Sequence, residues 1–221
     1  GMYPAAVGKL VNENATAAKK DVEKAKKLLD DAGYKDKDGD GLREDKNGNK
    51  LSFNFAIRNT GAEYDQALAD VFVKSWKEVG LDVKLVDGKL MSSKDWSQRV
   101  QADDPGIDIF QGAWGLGSDP NPGGFVSKTS PLNLQRYTTE ELEKSLTAMG
   151  SSDMFDDAKL KEAYQKFDKQ FREEAAWLPF SWQQSMTWVN KRVKSFDLAK
   201  LKTGEQKVYG LELTADAPAK N

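Results

Sequence analysis

Three groups of residues in this sequence have the types and spacing that chemistry needs. Asp36, Asp38, Asp40 and Gly41 match the opening of an EF-hand-type calcium loop, with oxygen ligands at alternate positions and a glycine at the sharp turn. The position that should carry a bidentate Glu is Asn47, however, and no second helix follows. A polar, hairpin-like connection accounts for the same residues. Adjacent acids at Asp103–Asp104 and Asp156–Asp157 offer the carboxylate pairs that glycoside hydrolysis uses. Nothing in the sequence sets two of them across a cleft, and among 35 acidic residues chance neighbours are expected. The third group is a long stretch, residues 112–137, that gathers Trp114, Asp119, Asn121, Asn133 and Arg136. Its length and its place after a predicted strand favour a binding role.

Most catalytic designs are excluded. The chain has no His and no Cys, so it can build no Ser-His-Asp triad, no Cys-His dyad and no ordinary zinc site. It lacks a nucleophile elbow, an S-x-x-K motif, a P-loop and a complete G-x-G-x-x-G. The expectation is no enzyme and no cofactor, and six Trp in a hydrophilic chain point to a protein with something to pack or to bind. With 33 Lys and Arg against 35 Asp and Glu, interspersed to a net charge of −2, no nucleic-acid partner is expected. No apolar run reaches the ~18 residues of a membrane span.

The elements that must position these residues follow from periodicity. Residues 1–20 show no sustained period and read as a linker. Asp21 caps a helix carrying Val22, Ala25, Leu29 and Ala32, which Gly33 stops. After the polar turn, Leu51, Phe53, Phe55 and Ile57 alternate as a strand. A helix with Leu68, Phe72, Trp76 and Val79 on one stripe ends at Gly80, and Leu81, Val83 and Leu85 form the next strand. Strand, helix and strand make a parallel βαβ unit. A short helix around Trp96 and Val100 precedes an apolar strand over 107–110. Thr138 and Glu141 form a capping box ahead of Leu142, Leu146 and Met149. A longer helix places Leu160, Tyr164, Phe167 and Phe171 on one face. Residues 178–189 read as one or two strands, with Phe180 and Trp182 on a core face, and 208–213 as another. The fold class is α/β, with an open, mixed sheet flanked by helices.

Four stretches, in order, carry a resemblance. They are Ala25-Lys26-Lys27-Leu28-Leu29-Asp30-Asp31-Ala32-Gly33-Tyr34 with Asp38-Gly39-Asp40-Gly41; Trp76-Lys77-Glu78-Val79-Gly80-Leu81-Asp82-Val83; Trp114-Gly115-Leu116-Gly117-Ser118-Asp119-Pro120-Asn121-Pro122; and Ala176-Trp177-Leu178-Pro179 through Val189-Asn190-Lys191-Arg192-Val193. The set resembles the family-5 solute-binding proteins of bacterial ABC importers, and is similar to the oligopeptide-binding lipoproteins of Gram-positive bacteria.

That resemblance implies a periplasmic-binding-protein-like type II lobe, the carboxy-terminal one of two. Residues 1–20 would lead from a missing amino-terminal lobe, 21–193 would form this lobe, and 194–221 would return towards the first. It implies an extracellular lipoprotein, anchored through the absent amino terminus, that captures oligopeptides between its lobes and delivers them to an ABC permease. The peptide-binding residues it points to are Trp114, Ser118, Asp119, Asn133 and Arg136. Asp119 matches the acidic position that pairs with a peptide ammonium group, although Asp before Pro120 also starts an ordinary turn. Trp114 would line the cleft or pack in the core. Asn133, Arg136 and Tyr137 match an Asn-x-x-Arg-Tyr segment, in which Arg136 holds a carboxylate or braces the loop through Asp119 or Asp108. Another solute (a dipeptide, nickel or a sugar) and a pheromone-sensing or adhesion role on the same fold are the alternatives.

Overall fold

In the computed structural model, which describes residues 3, 10, 19–115, 121–175, 177–182 and 186–214, the first helix is α1 (Val22–Asp31). Asp21 begins it by accepting a hydrogen bond from Lys24 N at 2.9 Å. Gly33, at φ +89°, ends it, with Gly33 N donating to Asp30 O and Tyr34 N to Leu29 O. This is the paired closure that a left-handed residue after a helix permits.

Strand β1 (Ser52–Ala56) lies between β2 (Asp82–Leu85) and β3 (Ile109–Phe110), and both pairings are parallel. Helix α2 (Asp65–Lys77) links β1 to β2, and α3 (Ser93–Gln101) links β2 to β3. The second crossover runs back across β1, so the two helices take opposite faces of the sheet. On the α2 face Phe55, Ile57, Ala69 and Val83 are buried with Phe72 and Trp76 packed against them. Trp76 meets Phe55 edge-on at 5.1 Å. On the α3 face the buried residues are Ala56, Val86, Met91, Trp96, Val100 and Leu134. The alternation in β1 is what feeds both cores.

Arg43 ties two helix ends together from the connection before β1. It is buried, and its Nε donates to Val79 O at 2.7 Å while Nη1 reaches Asp30 Oδ1 at 2.6 Å and Tyr34 O at 2.5 Å. Gly80, at φ +85°, lies directly against it.

A third core joins helices α4 (Gly123–Val126), α5 (Glu140–Met149) and α6 (Asp157–Glu174). Val126, Leu142, Phe167 and Phe171 are wholly buried there, each worth roughly 1.5–3 kcal/mol over exposure. Tyr3 and Leu10, from the stretch read as a linker, are buried in the same core. Parallel and antiparallel pairings both occur, the latter as bridges at Lys35–Glu44 and Glu44–Lys50. The architecture is an α/β lobe with an open sheet between helices.

Three local expectations change. The cap of α5 is Thr139, one residue beyond Thr138, because its hydroxyl accepts from Leu142 N at 3.2 Å and also bonds Glu174. Thr138 instead donates to Glu143. Residues 177–182 and 186–190 form no strand, and Leu178, Trp182, Met186 and Trp188 are exposed, Trp188 by 87%. Pro179 withholds a backbone donor from this segment.

The chain divides into two compact units, Gly1–Pro179 and Phe180–Asn221. In the second, β4 (Val193–Lys194) pairs antiparallel with β5 (Glu212–Leu213), the latter much shorter than the strand expected over 208–213. Helix α7 (Leu198–Thr203), absent from the sequence reading, begins at Asp197, whose carboxylate accepts from Ala199 N and Lys200 N.

Candidate functional site

The doubly wound order β2-β1-β3 makes a switch point at the carboxyl ends of β1 and β3. From there β1 runs on into Ile57 and Arg58, and β3 into Gln111, Gly112, Ala113 and Trp114. Each extension stays paired with β1 or with its other neighbour: Gln111 N donates to Ala56 O at 2.9 Å, and on the β2 side Met91 N donates to Ile57 O at 2.9 Å. Chains leaving adjacent parallel strands in opposite directions open a crevice, and residues 112–137 begin at its edge.

Trp114 is half-buried and lies flat on Phe125, with ring centroids 5.6 Å apart and planes 12° apart. It also faces Trp177 at 6.1 Å and 15°. Trp177 in turn meets Phe171 edge-on at 5.4 Å, which ties the aromatic group to the α6 core. Trp114 is thus partly packed against the core and partly exposed.

Asn133 is buried, and its Nδ2 donates to Val126 O, Ser127 O and Tyr137 O at 3.0–3.3 Å. It clamps the loop on itself. Arg136, at φ +53°, is a brace. Its guanidinium bonds Asp103 Oδ2 at 3.2 Å, Asn133 O at 2.7 Å and Gln101 O at 3.3 Å. Its carboxylate partner is thus Asp103, whereas Asp108 accepts from Asn54 N at 2.7 Å. Asn121 accepts from Gly123 N at 2.8 Å and starts the turn into α4. Ser118 and Asp119 lie outside the described residues.

The paired acids are structural. Asp104 is bound to Arg99 at 2.5 Å, which holds its carboxyl below the usual range, and Asp156 caps α6 through Ala158 N and Lys159 N. The sequence reading passed over Phe125, Trp177 and Arg58. Trp177 could have been found from its own motif; Arg58 reads as the solvated end of a strand.

In the acidic loop, oxygens of Asp36, Asp38, Asp40 and Glu44 lie within 4.8 Å of one another. Lys50 Nζ reaches Asp38 at 2.7 Å, Asp40 at 2.8 Å and Glu44 at 2.7 Å. Asp36 accepts from Gly39 N at 2.7 Å and Gly41 N at 2.9 Å. The positive charge that a calcium loop would take from a metal is supplied to three of these carboxylates by an ammonium group. Desolvation works against that ammonium, but hydrogen bonds to Asp38, Asp40 and Glu44 outweigh it and raise its pKa above the ordinary lysine value. The same bond holds the Asp38 carboxyl below its usual range. Two open depressions elsewhere, one beside Arg43 and Gly80 and one beside Val83 and Lys84, lie away from the switch point.

Comparison with known proteins matches residues 2–134 to a family described as bacterial extracellular solute-binding proteins, family 5 Middle. The oligopeptide-binding protein OppA of Lactococcus lactis subsp. lactis is 32% identical over 183 residues, which are 81% of this chain and 30% of the relative. The oligopeptide-binding protein AppA of Bacillus subtilis is 30% identical over 128 residues, 55% of this chain and 22% of that one. The structure of lactococcal OppA complexed with an endogenous peptide in the closed conformation aligns with a TM-score of 0.73 at 28% identity, over 78% of this chain and 32% of that one. NikA from Brucella suis, in complex with Fe(III)-EDTA, has the same fold at a TM-score of 0.60 and 21% identity, over 77% and 34% of the two chains. This chain spans 30% of the length of the curated OppA relative.

Proposed function

This chain belongs to the bacterial extracellular solute-binding proteins of family 5, and from that premise we propose that it forms one lobe of a two-lobed oligopeptide-binding protein serving an ABC importer. Binding, not catalysis, is the activity of the family. In this reading a peptide lies extended between this lobe and an amino-terminal one, with backbone hydrogen bonds giving affinity and roomy pockets giving tolerance. Closure of the lobes then presents the loaded protein to the permease. A lipid anchor on the amino-terminal side would keep it at the cell surface.

The observation that carries the proposal is the start of the 112–137 segment at the switch point, with the Trp114 ring half-exposed on an aromatic support. Trp114 offers a flat apolar wall, tolerant of different side chains. Asp119, with Ser118 beside it, pairs with the peptide's ammonium group, because a partly buried carboxylate gains most from a charged hydrogen-bond donor. Asn133 and Arg136 contribute by fixing the loop that carries these residues.

Calorimetric titration of the full-length protein with one oligopeptide, free and N-acetylated, tests the reading. The acetylated peptide should bind about tenfold more weakly or worse, the usual cost of a lost charge-assisted hydrogen bond. Asp119→Ala should abolish the difference. If acetylation changes nothing, Asp119 is a turn residue. If no peptide binds at all, the solute belongs to another class.

A further inference from the structure

Strand β2 is an edge. The sheet order β2-β1-β3 leaves its far side without a neighbouring strand among the described residues. Asp82 N donates to Leu51 O at 2.9 Å, so Asp82 and Lys84 turn their backbone groups towards β1. The alternation along the strand turns those of Val83 and Leu85 the other way. Helix α2 runs beside this edge, and its Asp70, Val73, Lys74 and Lys77 line an open groove together with Val83 and Leu85.

The side chains decide what can pair there. Asp82 and Lys84 emerge on one face of the sheet and bond each other at 2.8 Å, and Asp82 also accepts from Ser52 Oγ at 3.0 Å. A lone lysine on a sheet edge deters pairing. An acid two residues before it changes the outcome. A second copy of the strand, laid antiparallel and centred on Val83, sets each Asp82 opposite the Lys84 of the other copy, while the outward N–H and C=O of the two Val83 residues meet as a hydrogen-bonded pair. Centring on Lys84 sets lysine against lysine, and centring on Asp82 sets acid against acid. Centring between residues opposes an outward-facing residue to an inward-facing one. Charge and pleat together select one register. The same two-fold axis turns α2 end for end, which brings the acidic end of one groove, at Asp70, against the basic end of the other, at Lys74 and Lys77. Such a pairing uses both edges and closes at two copies. The net charge of −2 sets up little repulsion between them.

We propose that the β2 edge is a self-complementary interface, through which two copies of this chain pair antiparallel about Val83 with Asp82 and Lys84 fixing the register. An edge of four residues is short, so the dimer is weak and reversible. The interface goes beyond peptide capture and does not rest on it.

Sedimentation of the full-length protein over about 1 μM to 1 mM, the range in which a small interface associates, tests the proposal. The wild type should pass from monomer to dimer as concentration rises. Lys84→Glu and Asp82→Lys should each weaken the dimer about tenfold or more, because two opposed pairs become repulsive. A mixture of these two variants should associate as the wild type does, since every opposed pair is then of opposite charge. Asp82→Lys combined with Lys84→Asp in one chain should restore self-association in the same way. Deuterium exchange at the Val83 and Leu85 amides should slow as the dimer forms. A wild type that stays monomeric at every concentration overturns the proposal, including the case in which those amides are protected at all concentrations because another segment of the full-length protein covers the edge. A dimer that both single variants leave intact overturns it too, as does association that neither the mixture nor the charge swap recovers. None of these outcomes depends on whether a peptide binds.

Discussion

Four carboxylates sharing a space 4.8 Å across repel one another unless something neutralises them. Lys50 does so for three of them from two residues before β1, which makes one side chain the common partner of Asp38, Asp40 and Glu44. Lys50→Met keeps most of the stem and removes the charge. The variant should melt at lower temperature than the wild type, and the Asp38 carboxyl, followed by NMR titration, should move up towards its ordinary range. An unchanged Asp38 titration would mean that the backbone of the loop alone sets it. Single residues were the hardest scale to read from sequence. Trp114 was visible as a rare side chain in a long loop, whereas the place of Arg58 on the Trp96 ring was not, because it depends on the whole fold.

Among the elements, the joint between α1 and α2 shows how one glycine serves two purposes. Gly33 and Gly80 both adopt left-handed backbone, at φ +89° and +85°, but only Gly80 is crowded, with an added Cβ falling 2.8 Å from Arg43 Cγ. Gly33→Ala should therefore cost about 1–2 kcal/mol, the penalty of the conformation alone. Gly80→Ala should cost more, because Arg43 must also shift from its bonds to Val79, Asp30 and Tyr34. Urea denaturation of the two variants side by side measures the difference, and equal values would show that Arg43 yields freely. Helices and strands with a sustained apolar period were legible: the βαβ unit, the stripe of α2 and the buried face of α6 lie where their spacing puts them. The cap of α5 was displaced by one residue because Glu174, from a helix far along the chain, holds Thr139. The alternation read over 178–189 gave no strand at 178–182 or 186–189, since periodicity specifies a face but cannot by itself supply the neighbouring backbone that a strand needs.

On the scale of the whole molecule, stability against acid follows from the carboxylates. Hydrogen bonds from Arg43 to Asp30, Lys50 to Asp38, Arg99 to Asp104 and Lys20 to Glu78 each hold a carboxyl below its ordinary pKa. A group whose pKa is lower in the folded chain stabilises it fully above the unfolded value, near 4, and stops doing so as pH falls through the folded one. Thermal melting should thus be nearly flat from neutral pH down to about 4 and fall steeply below it. High salt should shrink the effect, because most of these pairs face solvent. A melting temperature that declined evenly from pH 7 would contradict this account. The unit Phe180–Asn221 has a different balance: none of its described residues is among the buried hydrophobics, and Trp188, Val208 and Tyr209 are largely exposed. Its pattern was mixed in the sequence for the same reason.

The central place of β1 has a consequence in time. Both of its neighbours come later in the chain, and the link from Asn54 to Asp108 closes only after 54 further residues. At synthesis rates of about 5–20 residues per second, the apolar run from Leu51 to Ile57 waits several seconds for its second partner. During that wait it has the composition of an aggregating segment. Lys50 and Arg58 stand immediately on either side of it. Charges so placed act as gatekeepers, so Lys50, the partner of three carboxylates in the finished lobe, and Arg58, which rests on Trp96, also guard the strand between them before the lobe exists.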